Sequence, residues 1–191
     1  MGNSSISDII KNRRATPPGL FAKREISRET IEALLESATW APNHKKTEPW
    51  RFKIFRGDAK NKLANDAFEL LKQKQTEGYP VAPEKMEKFA STMERVPVAI
   101  AIVLQNDAAK RLPEWEEIAA VAMAVQNMWL HATELGLGAF WATPAFIELF
   151  DDLLDIKEDQ KCLGFFYVGE IMMDYPSPGR GELAGKMEWI E

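Results

Sequence analysis

Ala41-Pro42-Asn43-His44-Lys45-Lys46-Thr47-Glu48-Pro49-Trp50 is the stretch on which the reading of this chain turns. Upstream of it, Ile31, Leu34, Leu35 and Ala38 recur at helical spacing, with Ser27 placed to cap the helix and Pro42 placed to end it. Downstream, Trp50, Phe52 and Ile54 alternate with Arg51 and Lys53, the pattern of a half-buried strand. The ten residues are therefore a loop joining helix to strand. They concentrate two prolines, a histidine, two lysines and a tryptophan at one turn.

Working outward, Ile6, Ile9, Ile10 and Arg13 share a helical face, with Ser5 or Ser7 as cap, and this helix must stop before Pro17-Pro18-Gly19. Arg13 and Arg14 then sit at a helix end. Past the first strand, Asp58 is expected to cap a helix carrying Leu63, Ala67, Leu70 and Leu71. Gly78 to Pro83 reads as an exposed connection to a charged helix from Glu84 to Arg95, and the segment is expected to form a lid or mobile flap. Val98 to Leu104 is a continuous apolar run suited to a strand buried on both faces. A long alanine-rich helix over Ile118 to Leu135 ends at Gly136-Leu137-Gly138, and a short strand from Ala139 to Trp141 follows. Thr143-Pro144 then predicts a helix start, Leu163 to Gly169 a third buried strand, Met172 to Pro178 a turn-rich segment, and Lys186 to Ile190 a last alternating stretch.

Composition narrows the functional classes. The 191 residues suit one domain spanning 1–191, and the net charge of -5, with acids and bases interleaved, leaves no basic stripe for a nucleic acid. Cys162 is the sole cysteine, which excludes an internal disulfide and a cysteine metal site and makes a cytoplasmic location the simplest expectation. The first residues lack the pattern of a signal peptide, and Ile6 occupies the position where myristoylation of Gly2 would need Ser or Thr. Polar residues from Gln126 onward interrupt the most apolar helix before it reaches the ~20 residues a membrane span requires.

Gly-x-Gly-x-x-Gly, phosphate-loop, nucleophile-elbow and His-Glu-x-x-His signatures are all missing, and two histidines are too few for a histidine zinc site. Scattered basic and aromatic residues beside turns and helix ends suit a large anionic cofactor that carries its own reactivity.

Four features in order resemble the nitroreductase family: Arg13-Arg14; Ala41-Pro42-x-His44 with Glu48-Pro49-Trp50; Gly136-Leu137-Gly138-Ala139-Phe140-Trp141; and a late Arg180. The short-chain bacterial branch, with its Pro-x-Trp-Glu element seen here as Pro113 to Glu116, is most similar. The resemblance implies an α+β fold with a central mixed or antiparallel sheet flanked by helices, in an intertwined homodimer with C-terminal strand exchange. It also implies FMN at the subunit interface and ping-pong hydride transfer from NAD(P)H to small aromatic or quinone acceptors, no side chain serving as acid or base in the first half-reaction.

By the same resemblance, Arg13, Arg14 and the backbone of Ala15 clamp the FMN phosphate and pyrimidine, and Arg180 completes the phosphate site. Ala15 stands where the family has serine, so a hydroxyl contact is lost. Trp40 and His44 are implied to reach the flavin of the partner subunit. Trp141, Ala142 and Thr143 are implied to lie along the isoalloxazine, with backbone N–H groups near N5 supplied by the helix start at Thr143. Lys46 and Glu48 replace the common Asn and Gln. His131 to Gly136, sometimes a nicotinamide contact, is expected to serve helix packing here. Trp115 and the flap would line the acceptor side. Other reductive chemistry, such as dehalogenation or enone reduction, and a non-catalytic flavin-binding dimer remain alternatives.

Overall fold

The computed structural model describes residues 5–173, 175–176 and 179–191. Helix α1 (Ile6–Asn12) starts from a reciprocal cap in which Ser5 Oγ accepts from Asp8 N–H and the Asp8 carboxylate accepts from Ser5 N–H. Its apolar residues are not buried: Ile6 and Ile10 face outward. Helix α2 (Arg28–Thr39) is capped by Ser27 as its sequence requires. Strand β1 (Trp50–Arg56), α3 (Gly57–Thr76), α4 (Pro83–Arg95), β2 (Val98–Gln105), α5 (Glu114–Glu134), β3 (Leu137–Ala142), the short α6 (Phe150–Leu153) and β4 (Gln160–Glu170) follow in order.

The strands form one antiparallel sheet ordered β1-β2-β4-β3, and the one parallel element among the described residues is an isolated bridge from Ala15 to Ala139. Helices cover both faces, which is why β2 is apolar from Val98 to Leu104. Its Val98, Ile100, Ile102 and Leu104 point into a core shared with α2 and α5, while Ala99 and Ala101 point into a second core with α3 and α4. The alanines leave room on that second face for Phe165 and Tyr167 of β4, whose rings stack 6.3 Å apart, and for Phe89, Phe146 and Phe150 packed against them.

One irregularity in this sheet bears on the site. Ile102 pairs with Gly164 but Val103 pairs with Cys162, so Leu163 is an extra residue on β4 and bulges. Gly164, at φ 127°, supplies the backbone conformation that the bulge needs.

Four expectations are corrected. Segment 83–95 is no loose flap: Met86, Phe89 and Met93 are buried on one face of α4, which packs along α3. Asp58 does not cap α3; Arg56 occupies the N-cap without a side-chain bond, and Asp58 lies inside the first turn. Thr143-Pro144 does not open an α-helix; a turn and a 3-10 segment at Ile147–Leu149 intervene before the four-residue α6, because Phe146 and Phe150 are drawn into the core. Residues 186–190 form no strand within this chain, where a 3-10 turn at Ala184–Lys186 gives way to exposed, unpaired backbone. Of the turn-rich segment expected at Met172 to Pro178, Asp174, Ser177 and Pro178 lie outside the described residues, as does Gly2.

Candidate active site

Trp141 is where several elements converge. The bulge at Leu163 turns that residue's carbonyl out of the strand ladder, and Trp141 Nε1–H donates to it at 3.1 Å, fixing the indole. Trp141 is also the sheet neighbour of Phe166, whose ring meets Trp129 of α5 edge-on at 5.5 Å. Trp129 in turn organises the arginines: its Nε1–H donates to the Arg14 carbonyl at 3.0 Å, and the Arg13 guanidinium lies 4.8 Å above its ring.

The chain after Arg14 is held against β3. Ala15 bridges Ala139, and Thr16 N–H donates to the Ala139 carbonyl at 2.9 Å. Just beyond, Phe21 lies over the paired glycines Gly138 and Gly169, where an added Cβ would come within 2.8 Å of its ring on either strand. Those glycines let the Arg13–Phe21 segment approach the sheet closely.

Burial, and secondarily the charge of Arg180, depress the Arg13 guanidinium below its ordinary value. Arg180, from the other end of the chain, thus lies within electrostatic influence of Arg13. No described carboxylate forms an ion pair with Arg13. Like charges held together in a half-buried setting suit an anion such as a phosphate.

Farther along the same segment, Pro17 to Gly19 join the run Phe140 to Phe146, Tyr167 and one side of α4 around an open groove of about 810 Å³. Trp141, Ala142 and Thr143 all line it. With no α-helix at Thr143, any N–H groups presented here belong to a turn, and a helix dipole does not assist them.

Trp40 and His44 do not line this groove. Trp40 is the C-cap of α2 and 80% exposed, and it borders a separate shallow pocket with Ile6, Ile9, Leu130 and His131. His44 opens a tight turn in which Lys45, Lys46 and Glu48 all have left-handed backbone, at φ 57°, 54° and 44°. The turn is braced by Asn43, whose side-chain oxygen accepts from Glu48 N–H at 3.1 Å. His44 Nδ1 contacts Glu116 Oε2 at 2.8 Å. That bond joins the Ala-Pro-x-His and Pro-x-Trp-Glu elements, a link that sequence spacing did not reveal. His131 Nδ1 meets Ser37 Oγ at 2.7 Å between α5 and α2, in keeping with a packing role.

Comparison with known proteins bears on this arrangement. The sequence profile described as the Nitroreductase family matches residues 10–170. The chain belongs to the nitroreductase family. Among relatives of this nitroreductase-family protein, YfhC of Bacillus subtilis, named as a candidate NAD(P)H nitroreductase, is 33% identical over 140 residues, spanning 73% of this chain and 69% of that one. A crystal structure described as a nitroreductase-like family protein from Bacillus cereus superposes with a TM-score of 0.82 at 27% identity, covering 100% of this chain and 98% of the other. A candidate nitroreductase of Desulfovibrio desulfuricans crystallised with FMN shares the fold, with a TM-score of 0.75 at 21% identity over 97% and 96% of the two chains.

Proposed function

We propose that the protein is an FMN-dependent oxidoreductase that passes hydride from NAD(P)H to a nitroaromatic, quinone or related small acceptor, and that it works as a homodimer. The observation that supports the reading is the Arg13 guanidinium held over Trp129, within the electrostatic influence of Arg180, at the head of the segment whose Pro17 to Gly19 line the groove walled by Trp141, Ala142 and Thr143. FMN bound there supplies the hydride-accepting chemistry, and the protein supplies position and electrostatics. Arg13 and Arg180 hold the phosphate, and the Ala15 backbone stands where the family uses a serine hydroxyl. The edge from Trp141 to Thr143 lies along the ring system, with the indole locked through the Leu163 carbonyl.

Exposed apolar residues support the dimer. Ile6 and Ile10 of α1, Trp40, Met123 of α5, and Trp189 and Ile190 of the tail all stand out of the single chain, an arrangement that a second copy would cover. In that dimer Trp40 and His44 border the partner's flavin, the turn at His44 being set by Glu116.

Anaerobic titration tests the reading. Purified protein is expected to be yellow and to bleach with NADH or NADPH; colourless protein without affinity for added FMN would end it. Arg13→Ala is expected to weaken FMN by roughly tenfold or more, the worth of a charged hydrogen bond, and riboflavin far less. Equal losses for the two would place Arg13 at the ring and refute the phosphate clamp.

A further inference from the structure

The groove carries a charge pattern that its flavin-binding role does not require. Its lining residues from α4 are Lys85, Lys88, Phe89, Ser91, Thr92 and Arg95. Three cations therefore face it, and no acidic residue lines it among the described residues, in a chain whose net charge is -5. The acids of α4 are Glu84, Glu87 and Glu94, each one residue before a cation and so rotated about 100° away around the helix. Charge is thus segregated between two stripes of one helix.

A purely solubilising helix surface is the alternative, and other helices here show what that looks like. Arg28 pairs with Glu32 on α2, and Lys62 with Asp66 on α3, each four residues apart. Glu84 and Lys88 have the same spacing, yet Lys85, Lys88 and Arg95 make no ion pair or side-chain hydrogen bond with any described residue. Arg95 reaches across the mouth instead, its Nη1 lying 3.9 Å from where a Cβ on Gly19 would stand. The facing wall presents the half-buried rings of Phe140 and Trp141, with Phe146 and Tyr167 buried behind them. With the flavin laid along Trp141 to Thr143, cations on one side and a flat ring system on the other complement a planar molecule with a negative group at its edge.

We propose that the acceptors of this groove are aromatic compounds bearing an anionic substituent, a carboxylate or sulfonate, held by Lys85, Lys88 and Arg95. The inference rests on the flavin reading of the same groove and names its substrate class. Arg13 and Arg180 hold the cofactor's own phosphate, so the row on α4 is left to the second ligand.

Two ligands that differ only in charge test this: 4-nitrobenzoate and 4-nitrobenzamide, titrated into the FMN-loaded protein by calorimetry and then assayed as acceptors. The carboxylate is expected to bind about tenfold more tightly at low salt, on the scale of one or two exposed charge contacts. About 0.5 M salt should reduce that preference to near parity in the wild type, which requires no variant. Lys85→Gln/Lys88→Gln should do the same at low salt while leaving 4-nitrobenzamide within about twofold. Equal binding of the two ligands by yellow wild-type protein, or a preference that survives both salt and the double substitution, would overturn the proposal and leave the flavin reading standing. If the double variant instead raises KM for NADPH and leaves the acceptor preference untouched, the cations serve the dinucleotide phosphates and the proposal falls. Colourless protein without FMN affinity would remove both readings together.

Discussion

Replacing Gly164 by alanine should damage the fold and the candidate active site together. An alanine there would keep φ near 127°, a region that side chains other than glycine occupy at a cost of about 1–3 kcal/mol. The methyl would also stand 2.4 Å from the Ala142 carbonyl oxygen and 2.7 Å from Trp141 Nε1, so either backbone or indole must move, at about 1–3 kcal/mol for overpacking. Moving the indole breaks its bond to the Leu163 carbonyl, worth about 1 kcal/mol net. One backbone shift relieves several of these at once, so the total is set at about 3 kcal/mol and not at their sum. Urea unfolding should show that loss as a lowered midpoint with unchanged slope. Tryptophan fluorescence and FMN affinity should change with it. Gly169→Ala is the comparison: its added Cβ meets Phe21 at 2.8 Å without a left-handed backbone, so it should cost about 1–3 kcal/mol and leave Trp141 undisturbed. The reasoning is refuted if Gly164→Ala stays within about 1 kcal/mol of wild type with its tryptophan emission unaltered.

Three further outcomes are expected. Burial pushes the Cys162 thiol up to about 11, so folded protein should resist a disulfide reagent near pH 8 and react once urea unfolds it. Between about 8.5 and 11 the unfolded chain gives up this proton and the folded chain keeps it, so stability falls as pH rises through that window, and Cys162→Ala should show a shallower fall. Burial raises Tyr167 in the same sense, which is why the comparison must be with that variant and not with a flat line. In the His44 turn, Lys45→Gly relieves a left-handed side chain at φ 57° and should raise stability by about 0.5–1 kcal/mol; a drop in the unfolding midpoint would show that the turn is not strained there.

Elements marked by their own residues were legible in the sequence. Ser27 and Pro42 bracket α2 closely, and the unbroken apolar run from Val98 identifies a central strand because helices cover both its faces. Errors arose where tertiary packing overrode a local signal. Thr143-Pro144 has the composition of a helix start, but Phe146 and Phe150 are pulled into the aromatic cluster under α4 and leave space for only one turn. Segment 83–95 looked loose because its charges outnumber its apolar residues, yet Met86, Phe89 and Met93 recur at helical spacing and anchor it. In the candidate site, the arginine pairing could be named only through family resemblance, since residues 13 and 180 share no local pattern. The bulge did leave a trace, a glycine inside an otherwise apolar strand at Gly164. The bond from His44 to Glu116 left none, because it spans 72 positions.

If copies associate as proposed, the tail is placed to report it. From Gly181 to Glu191 every residue is exposed, Trp189 by 78% and Ile190 by 91%, and among the described residues the Lys186 ammonium bonds only to carbonyls of the tail itself, at Gly181 and Glu182. Side chains so placed add little to the stability of a lone chain, so a truncation there should be nearly silent under conditions that keep copies apart. Whatever stability, cofactor retention or tryptophan shielding does depend on those last residues must then grow with protein concentration. The exposed indole of Trp189 would then offer an optical measure of whether a neighbour covers the tail.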